Sequence, residues 1–209
     1  MTAGADRSDW REIGPMELTP ILAGAVQSFH ESGYHGASVR EIAVRVGVTV
    51  PTLYYHYGSK QGLLIALLES SMQELLDHAE QAVADSDGSP RQRFTNLVEA
   101  TVLYVTRRVS IAALDSELRY LEPGNRERYA RSRKRLEELF REIIQDGVEQ
   151  GVFEVNYPED TVRALAGMFQ SVVRWYRPDG PAAAEVVAER YCDIALRTVV
   201  AARSMAAPS

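Results

Sequence analysis

The stretch from Thr49 to Lys60 gathers two threonine hydroxyls (Thr49, Thr52), two phenols (Tyr54, Tyr55), an imidazole (His56) and an ammonium (Lys60). Groups of this kind fix a protein on phosphate oxygens. Val50, Pro51 and Thr52 are small or apolar, so they allow close backbone approach and can touch thymine methyl groups. Arg40, a little upstream, is the long donor with the reach for a bidentate guanine contact. Tyr54, Tyr55 and His56 are consecutive and point in different directions around a helix. They cannot all be buried, so at least one polar-tipped ring must face outward.

A catalytic reading has thinner support. Its ingredients are Cys192, His30, His35, His56, His78 and scattered carboxylates. Cys192 lies mid-helix in Glu189-Arg190-Tyr191-Cys192-Asp193-Ile194, where a lone thiol packs as a small apolar residue. There is no phosphate-cradling glycine loop, no His-Glu-x-x-His and no Gly-x-Ser-x-Gly. The chain is therefore not expected to be an enzyme, nor to need a metal or cofactor. One cysteine in 209 residues excludes a disulfide framework. No apolar run approaches the roughly 20 residues that span a bilayer, and a cytoplasmic protein without a membrane partner is expected.

The elements that must position these groups are helices. Strict alternation is scarce, and the pattern predicts an all-α chain of about nine helices. Ile21, Leu22, Ala25, Val26 and Phe29 share one face of the first, with Thr19 as N-cap, Pro20 at its start and Gly33 at its end. Ser38-x-x-Glu41 is a capping box opening a second, with Ile42, Ala43 and Val46 inward. Gly47 supplies a turn, Thr49 caps a third helix over about 50–56, and Ser59 caps a fourth reaching about Ala84. Further helices are expected over 90–107, 109–121, 125–150, 158–176 and 181–204. A capped helix, a glycine turn and a second short helix within about twenty residues is the helix-turn-helix layout, although an ordinary helical corner has the same pattern.

Here the residues reach a family. Gly33-Tyr34, Ser38-Val39-Arg40-Glu41-Ile42-Ala43 and the run from Val46 through Thr49-Val50-Pro51-Thr52-Leu53-Tyr54-Tyr55-His56-Tyr57-Gly58-Ser59-Lys60 to Leu64 resemble the signature of TetR-type transcriptional repressors. The resemblance implies a homodimer with one helix-turn-helix per subunit, bound to double-stranded operator DNA, and a C-terminal ligand-binding and dimerisation domain. By position, Arg40, Val50, Pro51 and Thr52 fall where the family reads bases. Ser38, Thr49, Tyr54, Tyr55, His56 and Lys60 fall where it holds phosphates. Two departures stand out: many members carry Lys followed by Gly or Ser in place of Val50-Pro51, and Phe is commoner than Tyr57. The implied organisation is a flexible leader (1–14), a DNA-binding domain (15–60) and a ligand-binding and dimerisation domain (61–209).

Charge is a tension in this picture. The chain carries a net −6. From Pro15 to Lys60 the cations Arg40, Arg45 and Lys60 only balance Glu17, Glu31 and Glu41. Specific binding then requires the cations to lie on one face, with weak non-specific binding. Trp10 and Arg11 are candidates for an arm contact, the other reading being a disordered leader.

The C-terminal half carries wide apolar helix faces that can enclose a cavity or fill a core. Arg174-Trp175-Tyr176-Arg177-Pro178, with Leu114–Pro123 upstream, resembles the subgroup that controls fatty-acid or steroid breakdown and answers to acyl-CoA. Arg174, Trp175 and Arg177 are thus candidate effector-binding residues, and a small amphipathic effector is the expected partner. Control of an efflux pump by hydrophobic drugs is the alternative. The basic run from Arg126 to Arg135 is either a solvated face or a meeting place for ligand phosphates. The last two helices look like the dimer contact. One stripe is Val162, Leu165, Ala166, Phe169 and Val173; the other is Val186, Val187, Tyr191, Ile194, Leu196 and Val199.

Overall fold

A computed structural model describes residues 9–200. Their order is α1 (Pro20–Gly36), α2 (Val39–Arg45), α3 (Val50–Tyr57), α4 (Lys60–Ala84), α5 (Pro90–Arg107), α6 (Val109–Ala112), a 3-10 helix (Ala113–Tyr120), α7 (Pro123–Glu149), α8 (Pro158–Trp175) and α9 (Ala184–Val199). No strand occurs among the described residues. The all-α expectation holds.

The chain divides into two compact units, one formed by 13–76 and 108–135, the other by 9–12, 77–107 and 136–200. α4 and α7 each contribute residues to both. The unit containing α2 and α3 is therefore larger than the expected 15–60 segment, and it takes in α6, the 3-10 helix and the start of α7.

Local chemistry explains where the first helices begin. Thr19 Oγ1 accepts from the Leu22 amide at 3.3 Å, and Pro20 occupies a position whose amide would be unpaired anyway. Ser38 Oγ accepts from the Glu41 amide while the Glu41 carboxylate accepts from the Ser38 amide, at 3.1 and 2.9 Å. That cap holds the Glu41 carboxyl below the usual carboxylate range. Ser59 Oγ receives the Gly62 amide at 2.9 Å and opens α4. Gly62 also permits the close approach of α3 and α4: a Cβ there would sit 1.7 Å from the Tyr57 carbonyl oxygen. Leu22, Ala25, Phe29, Ile42, Ala43, Leu53, Leu63, Leu64, Leu67 and Leu68 form the core beneath, joined by Leu114, Leu121 and Tyr129.

Several expectations need correction. Residues 109–121 do not form one α-helix: four α-helical residues give way to a 3-10 turn. Ser116 Oγ donates back to the Ala113 carbonyl at 2.9 Å, a local bond that competes with α-helical winding. Gly33 breaks α1 with a φ of 69°, and the chain then resumes helical turns to Gly36. The last helix starts at Ala184, not Pro181, and the expected stretch 201–204 lies outside the described residues.

In the second unit α5 packs against α9 and α8. The interior is filled where Phe94 meets Phe140 and Phe153 edge-on, at ring separations of 6.2 and 5.6 Å, and Phe140 meets Phe169 at 5.6 Å. The α8 stripe expected at a dimer contact belongs to this core: Val162, Leu165 and Phe169 are buried within the subunit. Val187 and Val199 of α9 are buried too. An amphipathic helix covers its strongest stripe with its own chain first, so what stays outside is the weaker face.

The flexible-leader expectation also fails where the structure begins. Trp10 is buried at 3% exposure; its indole N–H donates to Asp85 at 3.2 Å, and its carbonyl oxygen lies 3.0 Å from His78 Nδ1. Arg11 grips Glu99 with two hydrogen bonds of 2.6 and 3.1 Å and stacks its guanidinium 3.8 Å from the Trp10 ring centroid. An arm contact by Trp10 and Arg11 is correspondingly set aside. Residues 1–8 of the expected leader lie outside the described residues.

Candidate nucleic-acid interface

α3 has eight residues and one fully buried anchor, Leu53. Helical spacing puts half-buried Val50 and Tyr57 on the Leu53 side, and turns Pro51, Tyr54 and Tyr55 away from it. Tyr55 is 86% exposed and Tyr54 47%, and His56 is exposed against the Tyr55 ring edge at 5.3 Å. Leu53 fixes the rotation of the helix, and that rotation displays the rings. At the helix start, Thr49 Oγ1 accepts from the Thr52 amide at 3.3 Å and lies 2.8 Å from Thr52 Oγ1.

α2 precedes α3 by a turn in which Gly47 takes a φ of 71°, a conformation open to glycine. The Val48 amide donates to the Ala43 carbonyl at 3.0 Å and closes the turn. Gly24 of α1 lets α2 come close: a Cβ there would meet Val46 Cγ1 at 2.3 Å. On the outer face of α2, exposed Arg40 lines an open surface groove with Glu41, Val44 and Arg45. Val44 is 76% exposed. It was missing from the sequence candidates, although it stands four residues after Arg40 and outside the inward set of Ile42, Ala43 and Val46. Arg45 is engaged with Glu31, whose carboxyl it holds below the ordinary range. That pairing removes one anion of the neutral balance from the exposed face. Ser38 is half-buried and its oxygen serves the α2 cap.

Lys60 differs from the other phosphate candidates. Its ammonium donates to the carbonyl oxygens of Ala37 and His35 at 2.7 and 3.2 Å, and lies 4.7 Å from the Tyr34 ring centroid. Burial lowers its pKa, opposed in smaller measure by Glu41. Tyr57, a departure from the family pattern, has a partner that phenylalanine would lack: its phenol oxygen is 2.9 Å from Thr19 Oγ1, the cap of α1.

The remaining candidates lie in the other unit. Arg174 and Arg177 are exposed at the C-terminal end of α8, and Arg177 Nη1 donates to the Tyr176 carbonyl at 3.0 Å. Trp175 is 49% exposed and stacks on Tyr191 of α9, with ring centroids 6.4 Å apart. The three are brought together on the surface, beside exposed Val186 and Ile194. The basic run of α7 is largely spoken for: Arg128 pairs with Glu69, Arg131 with Glu127 and Arg133 with Asp115.

Comparison with known proteins gives this arrangement a context. Residues 21–67 match the family model described as bacterial regulatory proteins, tetR family, and residues 87–199 match that of the Tetracyclin repressor-like C-terminal domain. The HTH-type transcriptional repressor KstR2 of Mycobacterium tuberculosis is 28% identical over 179 residues, covering 84% of this chain and 89% of the relative. The crystal structure of the TetR family transcriptional regulator PfmR from Thermus thermophilus superposes with a TM-score of 0.75 at 34% identity, over 85% of this chain and 97% of that one. AibR in complex with isovaleryl coenzyme A and operator DNA gives 0.73 at 25% identity, over 83% and 95%. With its head and more than half of its length matched by these models, the chain belongs to the TetR family of bacterial regulatory proteins.

Proposed function

We propose that this protein is a ligand-responsive repressor that binds a pseudo-palindromic operator as a homodimer and releases it on meeting an acyl-CoA or a similar amphipathic effector. The observation that carries the DNA half of the reading is the outward display of Tyr54 and Tyr55 on a helix whose rotation is fixed by buried Leu53. Arg40, Val50, Pro51 and Thr52 face base edges in this reading. Ser38, Thr49, Tyr54, Tyr55 and His56 hold phosphates, while Lys60 fastens the head together. Two recognition helices about 34–36 Å apart would require half-sites one helical turn apart.

The dimer contact in this reading is the outer face of α8 and α9, where Trp175, Val186 and Ile194 are exposed and Gly167 allows close approach. Support for the effector class comes from relatives: AibR is complexed with isovaleryl coenzyme A, and KstR2 is a repressor. Arg174, Trp175 and Arg177 are the candidate contacts for its charged head group.

Selection of bound fragments from random duplex DNA, repeated with a panel of thioesters, tests the reading. An enriched inverted repeat, released by acyl-CoA but not by the free acid, supports it. Release by cationic dyes in place of thioesters would favour an efflux regulator, and absence of any enriched sequence would overturn the DNA-binding role.

A further inference from the structure

We infer that α3 selects its DNA sequence through the C5 methyl groups of thymines, with Val50, Pro51 and Thr52 supplying the contacting carbons. The inference rests on the DNA-binding reading above and adds the chemistry that α3 recognises.

The argument begins with what α3 lacks. Polar base recognition in the major groove uses Arg or Lys on guanine, Asn or Gln on adenine, and Asp or Glu on cytosine. From Val50 to Tyr57 the sequence is Val-Pro-Thr-Leu-Tyr-Tyr-His-Tyr, which contains none of the six. In a helix-turn-helix the N-terminal residues of the second helix reach base edges, and here they are Val50, Pro51 and Thr52. Val50 and Pro51 carry no side-chain donor or acceptor. Thr52 carries one hydroxyl, and it is committed to Thr49 Oγ1 at 2.8 Å. With that oxygen engaged by its neighbour, Thr52 has its γ-methyl left to present to a base. The turn that meets the groove is thus a carbon surface, and the thymine methyl is the carbon feature on the groove floor. Polar discrimination falls to Arg40 on α2, which is exposed.

The test uses the full-length protein and a duplex enriched from random DNA, with thymines replaced one at a time by deoxyuridine. This removes the methyl and leaves base pairing intact. Loss of one buried methyl weakens binding about fourfold, and that penalty is expected at thymines facing α3 in each half-site. Val50→Ala or Thr52→Ser, which trims the protein side, should abolish the penalty at one of those thymines. If a duplex is bound and every deoxyuridine substitution leaves its affinity unchanged, thymine-methyl reading is wrong although DNA binding stands. If no duplex is enriched, the DNA-binding reading fails and this inference with it.

Discussion

The Lys60 ammonium donates to the carbonyl oxygen of Ala37 at 2.7 Å, so the first residue of α4 is fastened to the residue that ends α1. The same ammonium reaches His35 and covers Tyr34. A lysine spent in this way positions the head and does not count among its phosphate contacts. Lys60→Met should lower thermal stability by about 1 kcal/mol, at the low end for hydrogen bonds from a partly exposed charge. Affinity for operator DNA should fall while the slope of log K against log salt stays unchanged. A phosphate contact would remove about 0.9 from that slope, so titrations at several salt concentrations distinguish the two roles.

Tyr57 and Thr19 make a second tie within the head, joining the end of α3 to the cap of α1 at 2.9 Å. Tyr57→Phe keeps the ring and deletes the hydroxyl. A cost of about 0.5–1.5 kcal/mol is expected in denaturant unfolding. A double-mutant cycle with Thr19→Val should show that the two losses are not additive, because both remove the same bond.

The legible parts of this chain were those governed by neighbours in sequence. The Thr19, Ser38, Thr49 and Ser59 caps each act within three residues, and all four form. The outward turn of the Tyr54–His56 group followed from helical geometry alone. Lys60 was misjudged because its partners are main-chain carbonyls, which leave no mark in residue types. Trp10 was misjudged because Asp85, His78 and Glu99 are remote in sequence and gather only on folding. The α8 stripe shows a further limit: periodicity reveals which face is apolar but not whether the chain's own α5 or a second subunit covers it.

Trp10 gives a direct reading of the docked N-terminal segment. The chain has two tryptophans, and Trp175 is half exposed. In a Trp175→Phe protein the remaining emission should be blue-shifted, as for a buried indole, and should shift red only on unfolding. Trp10→Ala is expected to cost about 3–5 kcal/mol, the range for truncating a buried large aromatic. Emission typical of a solvated indole in the folded protein would contradict the observed burial.

Cys192 is buried on α9, its Sγ 3.6 Å from the Thr95 carbonyl oxygen, and burial is the main cause that pushes its pKa from 9.0 up to about 12. The folded state therefore keeps a proton that the unfolded chain gives up. The stability this provides is fully present below pH 9 and declines as pH rises from about 9 towards 12. Iodoacetamide should label the native protein very slowly at pH 8 and label it fast in denaturant, since the thiolate is the reactive form. Rapid native labelling would show that the thiol is accessible.

Arg40 and Tyr55 should separate base reading from phosphate holding. Both are exposed, but they carry different chemistry: a guanidinium matches the two acceptors of a guanine edge, while a phenol gives one hydrogen bond to an oxygen of any phosphate. Arg40→Ala should cost about 1–3 kcal/mol and relax preference at one base pair of each half-site. Tyr55→Phe should weaken binding to every duplex by a similar factor, with no change in the order of preference. Measuring both variants against operator DNA carrying every single base change distinguishes these outcomes. A uniform loss with Arg40→Ala would reassign it to the backbone and leave the carbon surface of α3 as the sole reader of sequence.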